Sequence, residues 1–192
     1  MKIECADVFY RYDTPGDGWA LRDISFSLEQ GEKVAVIGHA GSGKTTLIQL
    51  LDALILPEKG DIRYDGQSLL ALSKTKKLFS IRRRIGVLFQ FPEQQFFHET
   101  AYEELTFALR NFFDLSAEEI ERRARDAAER FQLDADMLAQ ISPFHLSSGE
   151  KRKLALASAI ISSPEVLIFD EPTAGMDASG RKELIRIISG LQ

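Results

Sequence analysis

Two short stretches of the chain carry residue types suited to phosphate chemistry. The first is Gly38-His39-Ala40-Gly41-Ser42-Gly43-Lys44-Thr45-Thr46. Its spacing is glycine, four residues, glycine, lysine, threonine. Glycines let successive backbone amides turn inward, and such a loop cradles phosphate oxygens at the positive end of the helix that follows. A lysine placed like Lys44 neutralises the terminal phosphates of a nucleoside triphosphate, and the Thr45 hydroxyl suits Mg²⁺. A plain glycine turn ahead of a helix would need neither residue. His39 has no chemical role in this reading. The second stretch is Val166-Leu167-Ile168-Phe169-Asp170-Glu171, an apolar strand ending in two carboxylates. Asp170 is placed to hold a metal's hydration shell, and Glu171 to take the proton of an attacking water.

These groups are useful only if the elements around them bring them to one place. Lys33 to Ile37 reads as a short buried strand feeding the glycine loop. The helix beyond it has Leu47, Leu50, Leu51 and Leu54 at i, i+3, i+4 and i+7. Residues 3 to 9 and 22 to 28, rich in β-branched and aromatic types, flank the turn cluster Pro15-Gly16-Asp17-Gly18 and predict an antiparallel pair. Further strands are expected at 61 to 64 and 85 to 89. Helices are expected at 99 to 110, 116 to 131 and 134 to 140, from Glu150, and from Ala178. In a parallel sheet ligands sit at the carboxyl ends of strands, which suits Asp170 and Glu171.

The chain has 192 residues, 44% of them hydrophobic and 28% charged, enough for a buried core. A net charge of -5 argues against a surface built to hold a nucleic-acid backbone. The basic run Lys74, Lys76, Lys77, Arg82, Arg83, Arg84 reads as a solvated face that could approach anionic lipid headgroups. The single cysteine, Cys5, excludes an internal disulfide framework and reads as a half-buried strand residue. Met1 to Glu4 lack an apolar targeting pattern, and Gln49 and Asp52 interrupt the most apolar stretch, Leu47 to Leu56, so no bilayer span is expected.

The order of motifs resembles that of ABC ATPases across essentially the whole chain. Walker A at 38 to 45 is followed by a glutamine loop at Phe89-Gln90. The signature segment Leu146-Ser147-Ser148-Gly149-Glu150 comes next, then Walker B ending at Asp170-Glu171 and a D-loop at Ala174-Gly175-Met176-Asp177. Taken alone, the signature segment is an ordinary serine-capped helix start, and Gln90 an exposed strand-terminal amide. Phe89 to Phe97 and Ser142-Pro143-Phe144-His145-Leu146 look like the energy-coupling-factor type ATPases that drive cobalt, nickel and vitamin importers. The resemblance implies an α/β P-loop NTPase (RecA-like) core at 1–91 and 150–192 with an N-terminal antiparallel β subdomain, and a helical subdomain near 92–149. It implies ATP and Mg²⁺ as cofactors, with the metal held through Thr45, Asp170 and Gln90, and Lys44, Gln90 and Glu171 serving catalysis.

It also implies a second ATPase subunit, identical or related, paired head to tail so that each signature closes on the partner's ATP. A transmembrane coupling subunit and a peripheral place on the cytoplasmic face of the membrane complete the expectation. Tyr12 matches the aromatic that stacks on adenine, with Phe9 and Tyr10 close by. Phe91, Phe96 and Phe97 fit either a core or the groove that receives the membrane subunit. Ser148 stands where the family usually has glycine. The chain stops at Gln192, before an expected strand and switch histidine whose place neither His98 nor His145 fills. Truncation and weak turnover are therefore expected. The alternatives are a soluble ABC ATPase, a small-molecule P-loop kinase, or a nucleotide-binding module without turnover.

Overall fold

The computed structural model describes residues 1–13, 18–75 and 77–190, and two compact units divide it, Met1–Ile85 and Gly86–Gln192.

In the first unit, β1 (Ile3–Tyr10) pairs antiparallel with β2 (Leu21–Leu28), as the β-branched and aromatic pattern predicts. Most of the turn cluster between them, residues 14–17, lies outside the described residues. Helix α1 (Lys44–Leu51) follows, and then β3 (Lys59–Tyr64) pairs with the other edge of β1, with the two-residue β4 (Gln67–Ser68) beside it. The resulting sheet has the order β2-β1-β3-β4. Two short helices absent from the sequence reading, α2 (Leu69–Lys74) and α3 (Phe79–Arg82), close the unit. Leu47, Leu50 and Leu51 are buried with Ile3, Val8 and Ile62, while Leu54 lies past the end of α1 and is exposed. The Tyr64 hydroxyl donates to the Leu51 carbonyl at 2.9 Å, tying the end of α1 to the sheet. Cys5 is fully buried rather than half-buried, and burial pushes its thiol up to about 12.

The expected strand Lys33 to Ile37 does not form. Val34, Val36 and Ile37 are 60%, 58% and 93% exposed. A strand is held by ladder hydrogen bonds to a neighbour, and apolar composition cannot substitute for one. The antiparallel sheet of this unit completes its pairing without the segment. The basic run is also less uniform than a solvated face: Arg82 donates to the Ala53 carbonyl at 2.7 Å and Arg84 pairs with Asp65, while Lys76 is outside the described residues.

In the second unit, β5 (Ile85–Leu88) continues from Gly86 and pairs with a strand far along the chain, β6 (Val166–Phe169). Between them run α4 (Ala101–Phe112), α5 (Ala117–Arg130), the single turn α6 (Ala135–Leu138) and α7 (Ser148–Ile160), and α8 (Ala178–Ser189) follows β6. Each long helix starts where its sequence supplies a cap. Thr100 and Glu103 form a reciprocal capping box, Ser116 accepts from the Glu119 amide, and Ser147 pairs with Glu150. The wet face of α5 is laced by Arg122 and Arg123 on Glu119, which hold that carboxyl down at about 2. The core gathers Leu88, Leu105, Leu109, Phe131, Leu138, Leu154 and Leu156, each side chain stabilising the unit by roughly 1.5–3 kcal/mol. Gly86 admits the close passage of α7 over β5, since a Cβ there would lie 2.3 Å from the Ala159 carbonyl oxygen.

Candidate functional site

The glycine loop stands in the first unit at the start of α1. Gly41 and Gly43 take positive φ values of 78° and 90°, and Gly43 is the N-cap of the helix. A Cβ on Gly43 would meet the Ala20 carbonyl oxygen at 2.6 Å, so only glycine fits that passage. Lys44 folds back over the loop, its ammonium donating to the carbonyls of Gly38 at 3.0 Å and His39 at 3.1 Å. A cation held over a ring of backbone, at the amide-rich end of a helix, is the donor set that polyphosphate requires, and these residues fit it. His39 turns its Nδ1 to the Ala40 carbonyl at 2.8 Å. Thr46 is buried, and the Tyr12 hydroxyl meets its hydroxyl at 3.0 Å and donates to Gln49 at 3.2 Å. Tyr12 therefore sits over the first turn of α1 with an exposed ring, packed edge-on against Tyr10. Phe9 instead packs against Trp19.

The carboxylates belong to the second unit. Asp170 is 5% exposed, and its amide donates to the Leu88 carbonyl at 2.8 Å, which sets the carboxyl ends of β5 and β6 side by side. Gln90, two residues past β5, donates from Nε2 to Glu171 Oε2 at 3.1 Å. Residues 81 positions apart in sequence thus meet at the strand ends. Glu171 has a positive φ of 44° and is exposed.

The signature segment is an open helix start. Leu146 is anchored in the core, and Ser147 caps α7 through the capping box, its amide and hydroxyl donating to Glu150 Oε2 at 2.9 and 2.5 Å. Those two bonds lower the Glu150 carboxyl below its ordinary range. Ser148 and Gly149 lie in the exposed first turn, where amides have no partner within a helix. The serine that replaces the usual glycine fits ordinary helical geometry. In the D-loop, Gly175 takes φ 70° and Asp177 caps α8 by accepting from the Gly180 amide at 2.8 Å. Of the three aromatics after Gln90, Phe96 is buried, whereas Phe91 and Phe97 are 46% and 64% exposed.

Among curated proteins, the Energy-coupling factor transporter ATP-binding protein EcfA2 of Bacillus licheniformis is 44% identical over the whole chain, which covers 66% of it. Its counterpart in Streptococcus sanguinis is 40% identical, again over the whole chain, which covers 68% of it. The ABC transporter family pattern matches residues 21–174. The chain belongs to the ABC transporter ATPases, in their energy-coupling-factor branch. It spans about two thirds of the length of these curated relatives. Among solved structures, cbiO1 of Clostridium perfringens, part of the ABC transporter complex cbiONQ, is 31% identical with a TM-score of 0.81, over 97% of this chain and 71% of that one. A dimeric ATP-binding cassette in a post-hydrolysis state, bound to ADP and Pi, is 26% identical with a TM-score of 0.84, over 97% of this chain and 81% of that one. The fold is that of the P-loop NTPases, and the family's nucleotide is ATP with Mg²⁺ as its metal.

Within this ABC ATPase, Thr45 lies in the first unit, and Gln90 and Asp170 in the second. Among the described residues no group of three or more His, Cys, Asp or Glu side chains could hold a metal ion. No helix among them is long and apolar enough to cross a membrane. Sequence reasoning missed Arg152, taken for part of a basic helix face. It is half-buried, donating to the carbonyls of Pro172 at 2.8 Å and Ala174 at 3.2 Å. Nothing in the local pattern distinguishes it from Lys151 and Lys153.

Proposed function

We propose that the chain is the ATP-binding and ATP-hydrolysing subunit of an energy-coupling-factor importer for a vitamin or a metal ion. It works head to tail with a second copy or a related ATPase, attached to a transmembrane coupling subunit on the cytoplasmic face of the membrane. Residues 1–91 and 150–192 act as the catalytic core and 92–149 as the helical subdomain. The loop from Gly38 to Thr46 holds the phosphates, Lys44 neutralises their charge, and the Tyr12 ring stacks on adenine. Thr45, Asp170 and Gln90 would hold Mg²⁺, which supplies electrostatic stabilisation of phosphate charge when bound. Glu171 accepts the proton of the attacking water. Residues 146–150 and 174–177 face the partner's nucleotide, the open start of α7 offering amides to its γ-phosphate. The exposed rings of Phe91 and Phe97 suit an apolar segment of the membrane subunit.

The observation that carries this reading is the hydrogen bond of Gln90 to Glu171, which unites the two residues expected to watch the γ-phosphate and activate water. Glu171→Gln keeps the shape and loses the base. Phosphate release at saturating Mg-ATP should fall by about 10² to 10³ while nucleotide binding stays intact. A mutant that turns over like the parent would remove Glu171 from this role.

A further inference from the structure

The loop after Glu171 is held in a way that its own sequence does not favour. Glu171 takes a positive φ of 44°. Glutamate has no intrinsic preference for the left-handed region, and the proline that follows it, Pro172, biases its neighbour toward extended backbone instead. Something outside the loop must therefore impose the conformation. Two arginines contact it. Arg152, from the second turn of α7, spreads its guanidinium across the carbonyls of Pro172 and Ala174. Arg181, from the first turn of α8, donates through Nε to the Met176 carbonyl at 3.0 Å. Three alternate carbonyls of one loop are thus taken by two cations. The Ala174 amide closes the turn on the Glu171 carbonyl at 2.9 Å, so the residue that Arg152 grips is also the one that fixes Glu171.

We propose that Arg152 is the positioning residue for Glu171, and that it joins the signature helix to the water-activating loop. The proposal rests on the function proposed above. Arg152 lies five residues beyond the helix cap Ser147, on the same rigid element whose first turn faces the partner's nucleotide. The Arg152 guanidinium ties that helix directly to the Pro172 and Ala174 carbonyls. Two diverging N–H donors are needed to span the two carbonyls. Lysine, with one compact ammonium, can satisfy the charge but not the fork.

Steady-state hydrolysis by the intact ATPase with its partner subunits tests this, comparing Arg152→Ala, Arg152→Lys, Glu171→Gln and the double variant of Arg152→Ala with Glu171→Gln. Arg152→Ala should lower kcat about tenfold to a hundredfold with KM for ATP within twofold, and Arg152→Lys should recover only part of the loss. In the double variant the residual rate should match that of Glu171→Gln alone, because a residue acting through Glu171 has nothing left to position. An unchanged kcat in Arg152→Ala, or losses that multiply in the double variant, would overturn the proposal. Should Arg152→Ala fail to fold, Arg152→Lys carries the same comparison, and a parental kcat in that variant would also overturn it. Parental turnover in Glu171→Gln would instead bring down the underlying reading of the site.

Discussion

The glycine loop at 38–46 and the loop after β6 are equally plain in sequence and very unequal in how the fold holds them. Around Glu171 three links come from distant parts of the chain, beside the local turn closed by the Ala174 amide. The Asp170 amide bonds to Leu88, Gln90 reaches Glu171, and Arg152 grips the following turn. Around Lys44 the ammonium bonds to carbonyls five and six residues back, and one longer link, Tyr12 on Thr46, is set over the first helical turn. The segment expected to carry that loop as a strand forms none, and its Val34, Val36 and Ile37 are exposed. Loop geometry can be encoded by glycines and a helix start alone, whereas the position of the loop in a sheet cannot.

Hydrogen exchange gives the largest expected contrast. Amides of residues 34 to 37 should exchange within about tenfold of unstructured peptide, while those of β6 and Asp170 should be slower by a factor of roughly 10³ or more. Comparable protection in both segments would show that the first has found a ladder partner and would erase the difference. A smaller effect separates the supports of the two loops by pH. Burial pushes the Asp52 carboxyl, at the end of α1, up to about 7, with Arg82 opposing the shift. Tyr64 and Cys5 are the other titratable groups nearby. A folded-state value above the ordinary 3.8 means that the native form holds a proton the unfolded chain has released. Stability of the first unit should therefore fall as pH rises from about 4 to 7, by on the order of 3 kcal/mol. Asp52→Asn should flatten this dependence in thermal unfolding followed from pH 4 to 8, and an unaltered slope would assign it to other groups.

What was legible in sequence follows the same division. Capped helices announce themselves locally, and Thr100, Ser116 and Ser147 each begin a helix within two residues of the expected start. The strands β1 and β2 were legible because β-branched and aromatic residues flank a turn cluster, both local signals. Lys33 to Ile37 shares the apolar composition of a buried strand, but pairing is a property of a distant neighbour that composition does not report. The short helices α2 and α3 lack the length for a readable period. Gln90 and Glu171 were identified as separate candidates, yet their hydrogen bond is a consequence of β5 and β6 lying side by side. Arg152 was invisible for the reason that makes it interesting: its partners are backbone carbonyls twenty and twenty-two residues away, which no side-chain pattern encodes.

The central claim, that the loop from Gly38 to Thr46 is a phosphate site whose charge is balanced by Lys44, is tested most directly by calorimetric titration of Mg-ATP into the parent and into Lys44→Ala. Removing one charge-assisted contact to phosphate in a partly desolvated loop should weaken affinity by about 100-fold or more, with circular dichroism and thermal unfolding of the two proteins alike. Equal affinities in two equally folded proteins would contradict the account.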